Sequence, residues 1–198
     1  MNFNLLLIAH PDDECMFFTP TLSYITHVYC LSNGNNDGFG LVREKEFQMS
    51  CKTINAIGEI GTLKDGEQWN SNQILELVDI YVKSNNISNI YTFDNYGVSG
   101  HHNHISIYSA LKSGKRKFYS LQSVSIFRKY IGFFDIFPTL LFRALFVTNN
   151  TLYLSNPMQA VTGYYSMLQH KSQLVWFRYL YLIFSRFMWI NEFEFHGK

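Results

Sequence analysis

Cysteine is scarce in this chain of 198 residues: Cys15, Cys30 and Cys51 are an odd set without zinc-finger spacing. They supply neither a disulfide framework nor a thiolate metal site, and a reducing compartment fits them best. An excess of charge of one sign is lacking too. The chain has 16 basic and 15 acidic side chains, a formal net charge of +1, so no global field draws in nucleic acid and any anionic partner must be met by local charge. Long uninterrupted apolar runs are missing. Asp135, Pro138 and Arg143 break one apolar stretch and Arg178 and Arg186 the other, which argues against a membrane-spanning helix. The first apolar run, Phe3 to Ala9, has no basic leader and leads straight into His10-Pro11-Asp12-Asp13, so it reads as a buried strand and not as a secretory signal. GxSxG, HExxH and the GxxxxGK phosphate loop are absent, and with them the usual serine-hydrolase, zincin and nucleotide-binding signatures.

What is present, at 47% hydrophobic residues, suffices for one substantial core, and a single domain over 1–198 is expected. The first two thirds alternate short apolar runs with amphipathic ones, the pattern of a mostly parallel sheet flanked by helices, an α/β fold. Strands are expected near Asn4 to Ala9, Ile25 to Leu31, Asn89 to Phe93 and Ser120 to Ile126. Helices are expected over Leu41 to Ile57, ending at Gly58, and over Ile74 to Lys83, with Ser71 or Asn72 as N-cap. Polar loops fill 33–40 and 63–70. In such sheets chemistry collects at the carboxyl ends of the strands. Three polar clusters fall there: His10 to Glu14, Asn33 to Asp37, and Asp94 to His104.

The first cluster places His10, Asp12, Asp13 and Glu14 where a strand gives way to a helix. Helix capping accounts for carboxylates there, but it does not call for the neighbouring His and Pro. The last cluster reads Gly97-Val98-Ser99-Gly100-His101-His102-Asn103-His104. If Gly100 marks a turn and a helix begins near His102, His101 and His104 point to one side. Together the clusters offer a His, Asp and His ligand set with a position open for water, as in catalytic zinc sites. Iron, cobalt or manganese suits the same nitrogen and oxygen donors. Asp94 can hold His101 in its working tautomer, as carboxylates behind active-site histidines commonly do.

The segments AHPDDE, at Ala9 to Glu14, and GVSGHHNH, at Gly97 to His104, resemble the LmbE-like deacetylases and especially their eukaryotic PIG-L branch. Further likenesses are SNGN at Ser32 to Asn35, the Arg43 and Glu46 pair, DGEQW at Asp65 to Trp69, and HKSQLVWFR at His170 to Arg178. The resemblance implies a Rossmann-like three-layer fold and a zinc-dependent de-N-acetylase acting on N-acetylglucosaminyl-phosphatidylinositol in glycosylphosphatidylinositol-anchor assembly. Residue by residue it implies His10, Asp13 and His104 as zinc ligands, Asp12 as general base, and His101 as the group that stabilises or protonates the reacting amide. Arg43 resembles the family's substrate-contacting arginine, and Asp94 is placed beside it on the substrate side. Two other readings keep these motifs: a de-N-acetylase of a soluble N-acetylglucosaminyl conjugate, and a catalytically silent membrane scaffold.

A glycolipid substrate implies work at a bilayer, on the cytoplasmic face of the endoplasmic reticulum. The family usually opens with a membrane helix that this sequence lacks, so peripheral association through surface elements is expected. Aromatic residues make up 17% of the chain and gather in its second half. An apolar aromatic helix is expected over about 170–190, with Lys171, Arg178 and Ser185 as a narrow polar stripe suited to a membrane interface. The run Phe133 to Val147 is expected as a surface hairpin dipping toward lipid or as a cleft wall.

Overall fold

The structure, a computed structural model, describes residues 3–197. From the amino end run β1 (Phe3–Ile8), α1 (Asp13–Phe17), β2 (His27–Ser32), α2 (Gly40–Thr53), β3 (Ile57–Leu63), α3 (Ser71–Ser84) and β4 (Ile87–Phe93). Then come α4 (Gly97–Gly100), α5 (His102–Ser113), β5 (Phe118–Leu121), α6 (Ile126–Lys129), α7 (Ile136–Leu145), β6 (Thr151–Leu154), α8 (Pro157–Met167), α9 (Trp176–Phe184) and β7 (Ile190–His196).

Leu5, Leu6, Leu7 and Ile8 are apolar without alternation because both faces of β1 are covered, and all four are fully buried. The described strands form one sheet in the order β3-β2-β1-β4-β5-β7-β6. β1 to β5 pair in parallel, while β7 runs antiparallel to both β5 and β6. Leu6, Ile8, Val28 and Cys30 face one core with α1, α2, α8 and α9. Leu5, Leu7, Tyr29 and Leu31 face the other, with Ile74 and Val78 of α3 and Ile107 and Leu111 of α5. The expected α/β fold is therefore observed, with helices on both faces of a mostly parallel sheet.

From β1 the chain builds outward to β3 on one side, then returns to lay β4 against the other edge of β1. The order of strands reverses between β1 and β4, and a crevice opens at their carboxyl ends. His10 to Glu14 follow β1 and Asp94 to His104 follow β4, so the sheet brings together clusters distant in sequence.

Several boundaries differ from expectation for identifiable reasons. The helix expected to run to Ile57 ends at Thr53, and 57–63 is the edge strand β3. Its glycines are packing residues: a Cβ on Gly58 would lie 2.5 Å from Cys51 Sγ of α2, and one on Gly61 would lie 2.9 Å from the Leu31 carbonyl oxygen. The strand expected at 120–126 is β5, which ends at Leu121, with α6 beginning at Ile126. Residues 170–190 divide into turns around α9, ending in β7, whose Phe193 and Glu194 alternate as strand residues do. The run 133–147 is a tight turn and the helix α7, not a hairpin.

The cap of α3 is Asn70, one residue before those expected, and its side chain accepts from the Asn72 N–H at 2.8 Å. We expect Asn70→Ala to cost about 1 kcal/mol and to lower Tm by about 2–4 °C in thermal unfolding. An unchanged Tm would show that water satisfies this helix end equally well.

Candidate active site

The chain leaves β1 through His10 and Pro11 and enters α1 at Asp13. Asp12, between them, adopts φ 113° and ψ −21°, left-handed backbone that is strained for a residue with a side chain. Its carboxylate does not cap α1. The peptide is held instead by Glu14, whose Oε2 accepts from the Asp12 N–H at 3.1 Å. Glu14 is in turn fixed below the site: Oε1 lies 2.6 Å from His170 Nε2 and accepts from the Ser50 hydroxyl at 2.5 Å. Burial alone would raise the Glu14 pKa and lower that of His170, but each outweighs this for the other, so Glu14 is lowered and His170 raised, a buried ion pair.

Asp13 turns back over the strand end. Its Oδ2 accepts from the backbone N–H of His10 at 2.9 Å and of Ala9 at 3.2 Å. The same oxygen faces His104 Nε2 at 3.2 Å and His10 Nδ1 at 3.7 Å. Each imidazole is held by its other nitrogen. His10 Nε2 is 3.0 Å from Asp65 Oδ1, and a carboxylate only accepts, so Nε2 carries the hydrogen of that contact and Nδ1 is the nitrogen left to offer a lone pair once the ring is neutral. His104 Nδ1 donates to the Gly97 carbonyl at 3.0 Å, which leaves Nε2 buried without a hydrogen-bond partner.

This donor set fits a divalent metal. Two donors about 2 Å from a tetrahedral ion lie about 3.3 Å apart, close to the separations around Asp13 Oδ2. A carboxylate or carbonyl behind each ligating imidazole is the usual support of such sites. Electrostatics agree. Burial would lower the His10 pKa, but Asp13 and Asp65 more than offset it and hold it up at about 9. Asp65, bonded to His10, is brought down to about 2. The pair of carboxylates demands positive charge at this point, from a proton or from a metal ion that replaces it.

His101 has a different setting. It is the N-cap of α5, and its Nδ1 accepts from the Asn103 N–H at 3.3 Å. Burial, with His10 and His104 alongside, lowers its pKa to about 4. With Nδ1 accepting, the hydrogen of the neutral ring lies on Nε2. Asp12 sits opposite, in contact with two arginines: Arg178 Nη2 is 3.2 Å from Oδ2 and Arg43 Nη2 is 3.7 Å from Oδ1. Burial still raises the Asp12 pKa, aided by Asp13, against the lowering from Arg178 and Arg43. These groups line a cleft of about 500 Å³ with Phe177 and Tyr181 on its wall.

Two expectations about the surroundings change. Asp94 does not reach His101; its carboxylate accepts from the N–H groups of Tyr96, Gly97 and Ser123 and from the Ser123 hydroxyl. It therefore holds the turn that offers the Gly97 carbonyl to His104. Gly97 needs its φ of +64°, and a Cβ there would lie 2.6 Å from that of His104. Arg43 is not paired with Glu46. It is buried, and donates to the carbonyls of Pro11 at 2.6 Å and Gly34 at 3.1 Å, while Glu46 accepts from Ser172. Arg43 lines the cleft and braces the loop carrying Asp12.

Among known proteins, the family model described as PIG-L, GlcNAc-PI de-N-acetylase, matches residues 5–114. A probable N-acetylglucosaminyl-phosphatidylinositol de-N-acetylase of Schizosaccharomyces pombe is 38% identical over 207 residues, covering 93% of this chain and 83% of that protein. The chain belongs to the PIG-L family. The Bos taurus N-acetylglucosaminyl-phosphatidylinositol de-N-acetylase is 35% identical, with 96% of this chain and 82% of that one covered. Two solved structures share the fold at low identity. A deacetylase of the teicoplanin biosynthetic pathway superposes with a TM-score of 0.68 at 12% identity, covering 98% of each chain. The N,N'-diacetylchitobiose deacetylase of Pyrococcus horikoshii does so at 0.63 and 14% identity, covering 97% of this chain and 83% of that one.

Within this PIG-L member the sequence reading named His10, Asp12, Asp13, His101, His104 and Arg43, and the structure gathers all six around the cleft. It missed Asp65, Arg178 and the Glu14–His170 pair. The signal was present: Asp65 opens DGEQW, and His170 and Arg178 bound HKSQLVWFR, segments matched for likeness but given no chemistry. We expect Asp65→Ala to weaken binding of a divalent metal by about 10–100-fold in calorimetric titration. Unchanged affinity would show that the Asp65 contact does not set the ligand nitrogen of His10.

Proposed function

We propose that this chain hydrolyses the acetamide of N-acetylglucosaminyl-phosphatidylinositol, giving glucosaminyl-phosphatidylinositol and acetate, as a step in glycosylphosphatidylinositol-anchor assembly. The observation that carries the chemistry is the gathering of two imidazole nitrogens, His104 Nε2 and His10 Nδ1, on Asp13 Oδ2, beside a buried carboxylate, Asp12, that caps no helix. The likeness to the Schizosaccharomyces pombe and Bos taurus relatives, named as N-acetylglucosaminyl-phosphatidylinositol de-N-acetylases, supports the substrate. The reading includes one LmbE-like domain acting peripherally at the cytoplasmic face of the endoplasmic reticulum membrane; no helix among the described residues is long and apolar enough to cross a membrane.

His10, Asp13 and His104 would hold the metal. Zinc is the first choice for this set, and iron, cobalt and manganese share its donor preferences. A bound divalent ion supplies Lewis acidity for the acetyl carbonyl and lowers the pKa of a water to about 7. Asp12 accepts the proton of the attacking water and delivers it to the leaving nitrogen. The neutral His101 donates its Nε2 hydrogen to the oxygen on which negative charge develops. Its proton stays in place through the cycle, because Nδ1 is committed to the helix. Arg178 and Arg43 set the position of Asp12. The bond broken is carbon to nitrogen; the water oxygen leaves with acetate, and its two hydrogens supply the amine and the solvent.

Acetate release by the purified protein, followed through chelation and zinc restoration, tests the reading. Asp12→Asn should retain metal, counted by elemental analysis, and lose about 100-fold or more in turnover. His104→Ala should lose both. Near-normal turnover in Asp12→Asn would remove Asp12 as the base, and release unaffected by chelation would remove the metal.

A further inference from the structure

Helix α7 is inside out. A surface helix ordinarily turns its apolar stripe to the core and its charges to water. Here Asp135, Thr139 and Arg143, spaced at successive turns, form the inward face, while Phe137, Leu141 and Leu145 are 63%, 61% and 67% exposed. Thr139 is the only buried residue of the helix.

The inward face is pinned by charge. Asp135 is fully buried and ion-paired to Arg186 at 2.6 Å, with Arg128 bound across both of its oxygens at 2.9 Å. Arg128 also donates to the Thr139 hydroxyl at 2.6 Å. Glu192 of β7 sits 3.2 Å from Arg186 and 3.5 Å from Arg143. Buried ion pairs are a demanding way to attach a helix, since both partners lose hydration. An apolar inner face would have sufficed had packing on the sheet been the sole requirement. The arrangement fixes which side of α7 looks outward, and no charge remains on that side.

The turn before α7 meets α9. The turn Gly132–Asp135 leads into α7 and rests on the end of α9, where a Cβ on Gly132 would lie 3.2 Å from the Ile183 carbonyl oxygen. On α9, Trp176, Ile183 and Phe184 are exposed. An apolar groove of about 390 Å³ runs along α9 between Tyr130, Phe177, Leu180 and Phe184. Tyr130, Phe177 and Tyr181 border both this groove and the cleft that holds His10 and Asp13. The apolar surface thus reaches the mouth of the active site.

We propose that α7 and α9 form a docking surface for a lipid bilayer, seated so that the cleft opens toward the headgroup layer and the groove receives the acyl end of the substrate. This deepens the glycolipid reading and rests on it for the groove's occupant; the docking itself rests on the inverted helix. Continuity with the cleft favours a bilayer over a protein partner, because a surface for a protein partner ordinarily has a polar rim around its apolar centre and this one lacks charge along the outward face of α7.

The test uses the full chain and vesicles of phosphatidylcholine with phosphatidylinositol. Phe137→Gln, Leu141→Gln and Leu145→Gln are combined in one variant, with circular dichroism confirming the fold. Ile80→Ser, an exposed apolar site on α3 across the sheet from α9, is the control. The parent and Ile80→Ser should float with vesicles, and the triple variant should partition at least about tenfold less. Turnover of substrate in vesicles should fall with it, while turnover of the water-soluble head group lacking acyl chains stays unchanged in all three. Flotation of the triple variant equal to the parent overturns the proposal. So does a parent that ignores vesicles and sediments as a dimer that the triple variant dissolves. If neither substrate releases acetate while flotation behaves as expected, the substrate reading fails and the docking surface stands.

Discussion

The fold and the chemistry meet at one oxygen atom, Asp13 Oδ2. It accepts two backbone N–H groups at the end of β1 and faces the imidazoles of His10 and His104. A carboxylate buried among apolar strands is costly unless every lone pair is used. Its pKa is held well below the ordinary range, because His104 and His10 more than offset its desolvation. Strand β1 must therefore end where it does, and α5 must begin where His104 can reach across the switch point. Displacing either would leave a buried charge without partners.

The adjacent carboxylates of Asp12 and Asp13 are given opposite tasks by their surroundings. Asp13 faces imidazoles and is kept ionised. Asp12, after a left-handed turn braced by Glu14 and Arg43, projects into the cleft with a raised pKa. The separation depends on backbone geometry, since consecutive residues in a regular strand or helix would not present their carboxylates in this way. His170 contributes from far along the chain by neutralising Glu14, so the carboxy-terminal third supports a loop formed near the amino end.

The sequence made the central strands and the candidate metal ligands legible because both depend on local composition. β1 is a continuous apolar run, and His10, Asp13 and His104 lie in dense clusters of rare neighbours. Edge elements were less visible. β3 carries Gly58 and Gly61, which read as punctuation until the close approach of α2 and β2 explains them. β7 follows directly on an aromatic segment whose composition suits a helix equally well. Partners that act across long separations, Asp65 with His10 and Arg178 with Asp12, leave no periodic trace, since only the folded sheet sets their distance. The role first assigned to Asp94 shows the same limit: adjacency in sequence suggested His101, but the carboxylate is saturated by backbone donors of its own turn.

The attachment of α7 has a consequence for where the fold opens. Most helices here are held by apolar burial, so separating them from the sheet exposes core. α7 contributes one buried residue, Thr139, and is otherwise held by ion pairs. Opening it would hydrate Asp135, Arg128 and Arg143 while uncovering little of the apolar interior, so its stability is set apart from that of the sheet. Amide hydrogens along α7 belong to a local unit whose exchange responds to salt and surroundings, while those of β1 and β4 report the unfolding of the whole.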